Sequence, residues 1–486
     1  MSAELEKIKP ITVFHFFGEV CKIPHPSKKE AKMAAWLMEF AKERNLYAAI
    51  DEVGNVLIRK PASIGYENKV PVVLQSHIDM VCEKNSDTQH DFDTDPILPY
   101  VDGEWVKAKG TTLGADDGIG IATQLAILNS NDIPHGPLEC LFTIDEETGL
   151  TGAFGLKPGF LEGTILLNLD SEDEGQIFIG CAGGQDSVAY LPIQLEKASD
   201  STKSVKINVG GLKGGHSGDD INKGLGNAVK ILNRLLWIAS RRFSIKLADL
   251  KAGNLRNAIA REGWAVITIP EKDILAFSEF IETYQSTVKN ELRVTDPGVF
   301  VTTENVGMPD HVLANSDFIK LINALYACPH GVITMSPDIA NFVETSTNLA
   351  SVQIKDRVIE ITTSQRSSVE SAKENIVDMV ESVFLLAGAK VTHSDGYPGW
   401  APNPASPVLK VAEKVYRELF DAAPEVLAIH AGLECGLIGE TYPLMDMISF
   451  GPTIKGAHSP DERLHIPSVV KFWEFTLEML KRIPAK

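Results

Sequence analysis

Val70-Pro71-Val72-Val73-Leu74-Gln75-Ser76-His77-Ile78-Asp79 is an almost unbroken apolar run that ends in a histidine and an aspartate. A short run of this kind reads as a central strand of a sheet covered on both faces. The pattern returns twice: residues 138–143 lead into Asp145-Glu146-Glu147, and residues 164–169 lead into Asp170. Between them, residues 118–129 read as a helix entered through Gly114-Ala115-Asp116-Asp117. Strands alternating with helices predict an α/β sheet. Ligands bind such open sheets beyond the carboxyl ends of the strands, and His77, Glu147 and Asp170 each fall just there.

Upstream, Ser27 and Glu30 read as a capping box for a helix whose apolar face is Met33, Trp36, Leu37, Phe40 and Ala41. A strand at 55–59 follows. Near residue 186 the character changes. Residues 203–209 alternate polar and apolar, as a half-exposed strand does. A glycine-rich turn, Gly210-Gly211-Leu212-Lys213-Gly214-Gly215-His216-Ser217-Gly218, leads to a helix expected at 222–239. Strands at 265–269 and 357–362 and a helix at 370–386 complete an inserted α+β domain, residues 186–397. Tyr397-Pro398-Gly399-Trp400-Ala401-Pro402-Asn403-Pro404 marks its end. The first style then returns, with a helix at 407–419, a buried strand at 445–450, a loop carrying His458 and a last helix at 469–481. The expected organisation is therefore an α/β domain of residues 1–185 and 398–486 with a mixed central sheet, interrupted by the insertion. No internal repeat is visible in the residues.

The chain has 486 residues and a net charge of −19. That charge speaks against nucleic acid, whose phosphates need clustered Lys and Arg, and against an anionic membrane surface. No apolar run reaches the length of a membrane span. The start, Met1-Ser2-Ala3-Glu4-Leu5-Glu6-Lys7, lacks the apolar core of a signal peptide. The six cysteines are scattered with no C-x-x-C pair. Together these features predict a cytoplasmic protein with reduced thiols.

His77 and Asp79 are two apart in extended chain, so they face the same way, and Asp79 can orient the imidazole as a metal ligand. Asp116-Asp117, Asp145-Glu146-Glu147 and Asp170-Ser171-Glu172 crowd carboxylates that repel one another unless a cation neutralises them. Taken singly, each has a plain structural explanation, such as a helix cap or an acidic helix start. Converging on one sheet rim with His458 from Gly456-Ala457-His458-Ser459-Pro460, they suit a pair of divalent ions, commonly zinc. Cobalt and manganese accept the same donors. Glu146 is the carboxylate left over and is free to serve as general base. Neither G-x-S-x-G, nor G-x-x-x-x-G-K-[ST], nor a G-x-G-x-x-G following a strand is present.

His77-Ile78-Asp79-Met80-Val81, Gly114-Ala115-Asp116-Asp117-Gly118, Asp145-Glu146-Glu147-Thr148-Gly149, Asn168-Leu169-Asp170-Ser171-Glu172, Gly214-Gly215-His216-Ser217-Gly218 and Ala457-His458-Ser459-Pro460 occur in that order. The series resembles the di-zinc amidohydrolase and peptidase family of carnosinases, aminoacylases and succinyl-diaminopimelate desuccinylase, over essentially the whole chain. Thr111-Thr112-Leu113-Gly114, Cys181-Ala182-Gly183-Gly184 and His430-Ala431-Gly432-Leu433-Glu434 are similar to its dipeptide-cleaving branch. The resemblance implies a phosphorylase/hydrolase-like catalytic domain with an inserted lid and dimerisation domain. It implies that His77 and Asp170 bind one metal, Glu147 and His458 the other, and Asp116 both, beside a cis peptide to Asp117. Asp79 would orient His77, and Glu146 would be the base. His216, Asn257, Arg366, Gly432 and Glu434 would contact the substrate, with His216 at the oxyanion and Arg366 on the carboxylate. The implied substrate is a small dipeptide with a free amino terminus, Xaa-His among others, and the implied assembly is a homodimer. Two other readings remain open at this point: an N-acyl amino acid deacylase using the same metals, and a non-catalytic metal-binding scaffold.

Overall fold

The computed structural model describes residues 5–486. Residues 1–4, part of the segment read above for a signal peptide, lie outside the described residues. The chain divides into two compact units. One comprises the residues up to Gly180, Pro402–Ala428 and Leu433–Lys486; the other comprises Cys181–Ala401 and Ile429–Gly432.

The first unit is built on an eight-stranded mixed sheet. Its strand order is Tyr47–Ile50, Val56–Lys60, Leu138–Thr143, Val72–His77, Ile165–Asn168, Asp446–Ser449, Gln176–Cys181, Glu425–Ile429. The four central strands run parallel, with Leu74 opposite Cys140 and Leu167, and Ile448 opposite Leu167. Every residue of Val72–His77, Leu138–Thr143 and Ile165–Asn168 is buried, as expected for strands covered on both faces. The helix Ala115–Asn129 packs on Val72–His77 and on the helix Ile11–Val20. The helix Pro407–Phe420 packs on Asp446–Ser449 and on the last helix, Ile466–Arg482. Ser406 caps Pro407–Phe420, its hydroxyl accepting the Leu409 N–H at 3.1 Å. A small four-stranded sheet joins Pro99–Asp102 and Trp105–Ala108 to the strands flanking the His458 loop.

The expected capping box does not form. The helix starts at Ala31 after Glu30, with no side-chain cap. The Ser27 hydroxyl donates instead to Asp79 Oδ2 at 2.7 Å, and Glu30 Oε1 accepts the Asp145 N–H at 3.0 Å. Two local capping groups are thus drawn into contacts 52 and 115 positions away.

The second unit holds an antiparallel sheet whose main path is Phe300–Asn305, Thr202–Gly210, Gly263–Pro270, Lys246–Ala252, Val343–Lys355, Val358–Ser367, Gly183–Pro192, Lys390–His393. The order is symmetric about its middle. Thr202–Gly210, helix Ala228–Arg242, Lys246–Ala252, Gly263–Pro270, helix Ile274–Glu291 and Phe300–Asn305 make one βαββαβ module. Gly183–Pro192, helix Asn315–Ala327, Val343–Lys355, Val358–Ser367, helix Glu370–Leu386 and Lys390–His393 make a second, with the first inserted after its opening strand. The modules join where Lys251 pairs with Gln353 and Ala252 with Val352. The residues carry no repeat, yet the topology does. One apolar core, including Ile207, Leu235, Ile267, Phe318, Leu349 and Ile361, runs through both.

The insertion is slightly longer than residues 186–397. Gly183–Pro192 belongs wholly to the second sheet, so the break precedes it. Tyr397 and Trp400 stay with it because the Tyr397 N–H donates to Gly184 at 2.8 Å and the Cys181 N–H donates to Trp400 at 2.9 Å. Ile429–Gly432 also joins it, the Ala182 N–H donating to the carbonyls of Ile429 and Ala431 at 3.0 and 3.1 Å. The helix expected at 222–239 spans Ala228–Arg242 instead, because Asn227 caps it by accepting the Val229 and Lys230 N–H groups. Among the described residues no helix is long and apolar enough to cross a membrane.

Candidate metal centre

The parallel strands of the first unit end together, and their successors carry the predicted residues. His77 closes Val72–His77, Asp145-Glu146-Glu147 follows Leu138–Thr143, and Asp170 follows Ile165–Asn168. Asp116 sits at the head of the helix Ala115–Asn129, and its bond to Asp117 is cis, as the resemblance implied.

His77 Nε2 lies 3.1 Å from Asp116 Oδ1 and 3.3 Å from Asp170 Oδ1. His458 Nε2 lies 3.2 Å from Asp116 Oδ2 and 3.1 Å from Glu147 Oε2. Asp116 therefore turns one carboxylate oxygen to each imidazole. Two donor triads result, His77 with Asp116 and Asp170, and His458 with Asp116 and Glu147; donor atoms within each lie within 4.8 Å of one another. Glu146 groups with His77 and Glu147 on the same criterion.

Asp79 lies behind His77, with Oδ1 3.3 Å from Nδ1. It also accepts the main-chain N–H of Glu146 at 2.9 Å and of Glu147 at 3.2 Å. Burial opposes its ionisation, but the bonds from His77, Ser27 and Glu146 hold it down to about 2. Asp145, in left-handed conformation, receives the hydroxyls of Thr148 and Thr151 and turns the chain so that Glu146 and Glu147 follow.

Four carboxylates, Asp116, Glu146, Glu147 and Asp170, crowd two imidazoles. Among the described residues no Lys or Arg forms an ion pair with any of them. Burial, with Asp170, Glu434 and Glu147, pushes Glu146 well above the usual carboxylate range, His77 pulling the other way. Burial raises Asp170 too, against the pull of His77. The bonds to Asp116 and Glu147 raise His458 to about 11. Glu147 Oε1 is buried without a hydrogen-bond partner. Unbalanced buried charge, an orphaned carboxylate oxygen and an all-nitrogen-and-oxygen donor set fit divalent cations.

Glu434, at the start of the helix Glu434–Thr441, is fully buried. Its Oε2 accepts from Gln75 Nε2 at 2.7 Å and Thr143 Oγ1 at 2.6 Å, while Oε1 has no partner. Burial pushes its carboxyl up to about 7. Glu462 was not singled out from the sequence. It accepts main-chain N–H groups of the Asp116 loop, and burial raises it to about 7 against those donors.

The remaining expected substrate residues belong to the second unit. Arg366, on Val358–Ser367, is buried; its Nη1 donates to Tyr397 at 3.0 Å, and its Nε has no partner. Across the sheet Arg366 pairs with Ser346, whose hydroxyl lies 2.7 Å from His430 Nε2. His430, held neutral by burial and by Arg366, drops to about 3, and its Nδ1 is unpartnered. A Cβ on Gly432 would meet the Tyr397 ring at 3.0 Å, so this glycine lets the backbone approach the ring. His216 is half-buried, with Nδ1 3.4 Å from Asp219 Oδ2. The Asn257 side chain is exposed, while its carbonyl accepts the Ser217 N–H at 2.8 Å. Ser346 carried no motif in the sequence, and His430 and Tyr397 stood in stretches read for other reasons; their neighbourhood to Arg366 appears only in the folded sheet.

A donor set of this composition on strand ends of an α/β sheet is that of a metal-dependent hydrolase. The chain belongs to peptidase family M20/M25/M40, whose model matches residues 73–482. The cytosol non-specific dipeptidase of Escherichia coli (strain K12) is 46% identical over 487 residues, with 100% of both chains covered. The aminoacylhistidine dipeptidase of Vibrio alginolyticus superposes with a TM-score of 0.94 at 44% identity, over 100% of this chain and 99% of that one. A tripeptidase of Staphylococcus aureus shares the fold, with a TM-score of 0.57 at 18% identity over 98% and 99% of the two chains.

Proposed function

We propose that the protein is a metal-dependent dipeptidase that hydrolyses dipeptides with a free amino terminus, Xaa-His among them. The observation that carries this reading is the division of the Asp116 carboxylate, 3.1 Å from His77 and 3.2 Å from His458. His77 and Asp170 would hold one divalent ion, Glu147 and His458 a second, and Asp116 would bridge them. Zinc is the expected metal, with cobalt and manganese as alternatives. When bound, such a pair supplies Lewis acidity toward a water and toward the scissile carbonyl.

The chain's own residues do the rest. Asp79 fixes the ring of His77 and the main chain of Glu146 together. Glu146 takes the attacking water's proton on its carboxylate and returns it to the leaving amine. In this reading the second unit is the lid. Arg366 would grip the substrate's carboxylate, His216 would steady the developing oxyanion, and Asn257, Gly432 and Glu434 would make further substrate contacts. The same reading makes the protein a cytoplasmic homodimer. For the location it draws support from a relative named a cytosol dipeptidase. Sedimentation of the purified chain tests the dimer.

The test of function is hydrolysis of Ala-His, Gly-Leu, a tripeptide and N-acetyl-methionine, with and without a chelator. Chelator-sensitive cleavage of the dipeptides alone is the expected result. Cleavage of N-acetyl-methionine in preference would move the protein to deacylase chemistry, and no cleavage by metal-loaded protein would refute both.

A further inference from the structure

Glu462 lies four positions after His458 and is 2% exposed. Its carboxylate sits in an arc of four successive main-chain N–H groups. Leu113 and Gly114 donate to Oε2 at 2.6 and 3.0 Å, and Ala115 and Asp116 donate to Oε1 at 2.7 and 3.4 Å. Both oxygens accept, which is the arrangement of a carboxylate in a backbone nest. Gly114 makes the arc: its φ of +68° is the left-handed turn that aims consecutive N–H groups inward. A Cβ there would also stand 3.0 Å from Met80 Sδ, a tight contact added to the strain of the positive φ.

On its own side, Glu462 closes a tight loop. The Glu462 N–H donates to Ser459 at 3.0 Å, and the Ser459 hydroxyl donates to Gly456 at 2.7 Å. Immediately afterwards Arg463–His465 pairs with Trp105–Ala108, which anchors the far end of the loop. Apart from the His458–Asp116 approach itself, the Glu462 bonds are the only side-chain hydrogen bonds joining the two loops among the described residues.

We infer that Glu462 is the positioning residue of the metal centre: by clamping the backbone of the Asp116 loop to the His458 loop, it holds the Asp116 carboxylate between the two imidazoles. The inference rests on the two-ion reading above. The Asp116 N–H contact is long, at 3.4 Å, but the bonds from Leu113, Gly114 and Ala115 tie down the backbone that leads into Asp116, from which its side chain reaches His77 and His458. Removing the acceptor would leave buried N–H groups unpaired and free both loops at once. The side chain acts through Asp116 and His458 and touches neither ion nor substrate.

The test is titration of chelator-treated protein with Co²⁺ alone, following visible absorption and affinity, in the parent, Glu462→Gln and Glu462→Asp. Gln keeps one acceptor oxygen and turns an NH₂ group toward donors. Asp keeps the charge but retracts it by one methylene. The expected result is two ions per parent chain, and in Glu462→Gln an affinity loss of roughly 10–100-fold for at least one of them, with a changed Co²⁺ spectrum. Glu462→Asp should recover part of both, and it carries the test alone if Glu462→Gln does not fold. Melting of the metal-free proteins separates positioning from general support. If Glu462→Gln melts lower but takes up two Co²⁺ with the parent's affinity and spectrum, Glu462 is only a fold residue and the inference is overturned. If the parent itself binds no Co²⁺, the two-ion reading falls, and this inference with it.

Discussion

Asp79 accepts the main-chain N–H of Glu146, 67 positions downstream, at 2.9 Å. The same carboxylate lies 3.3 Å from His77 Nδ1, so one buried group fixes both a proposed ligand and the proposed base. Asp79→Asn replaces one acceptor oxygen with a donor that faces N–H groups. We expect a folded protein with activity or metal affinity reduced roughly 10–100-fold, read by steady-state kinetics and by competition with a chelator. Unchanged values for both would remove Asp79 from the site.

Glu146 is the proposed base of the cluster. Glu146→Gln keeps its shape and removes the proton-accepting oxygen. The expected outcome is a fall in kcat of about 10²–10⁴-fold with the metal content retained. Near-parental turnover, or loss of metal together with turnover, would show that Glu146 has a different role.

Arg366 is buried, with Nε free and Nη1 on the Tyr397 hydroxyl. A charge-assisted bond to a substrate carboxylate is worth about 1.5–3 kcal/mol. Arg366→Ala should therefore weaken kcat/KM for dipeptides by roughly one to two orders of magnitude. A dipeptide amide, which lacks the carboxylate, should show little further loss in the variant. Equal losses for the acid and the amide would contradict the assignment.

His330 offers a pH test away from the metal centre. Its Nδ1 accepts the Leu349 N–H at 3.2 Å, which requires a neutral nitrogen, and burial with nearby Lys230 lowers it to about 4. Unfolded chains protonate histidine near about 6.5, so the unfolded state binds the extra proton first. The stabilisation is present above that value and is lost as pH falls from about 6.5 to 4. Urea midpoints over this window should fall more steeply in the parent than in His330→Gln. Parallel curves would contradict the shift.

Part of the candidate centre was legible because His77, Glu147 and Asp170 follow buried runs, whereas Asp116, at a helix head, and His458, in a loop, were read from their motifs. Apolar stretches ending at His77, Asp145 and Asp170 signalled strand ends, and parallel strands must deliver their ends to one rim. What stayed hidden depends on partners far away in the chain. Ser27 and Glu30 had the spacing of a capping box, but a 2.7 Å bond to Asp79 and a 3.0 Å bond from Asp145 took precedence. Glu462 reads as one acid among many until the fold brings the N–H groups of Leu113–Asp116, 346 to 349 positions away, against it. The doubled module of the second unit escaped because topology constrains which faces are apolar, and many residues satisfy that. His430 and Ser346 meet only through the pairing of Ser346 with Arg366 and the return of the chain at Ile429–Gly432.

The central claim is a paired site in which Asp116 serves two ions. Isothermal titration of metal-free parent and Asp116→Asn with Zn²⁺, followed by Ala-His hydrolysis at each ratio, tests it most directly. The account predicts two ions per parent chain, activity that needs the bound metal, and weakened binding of both ions in Asp116→Asn. A single ion per parent chain, or hydrolysis that persists after complete metal removal, would contradict it.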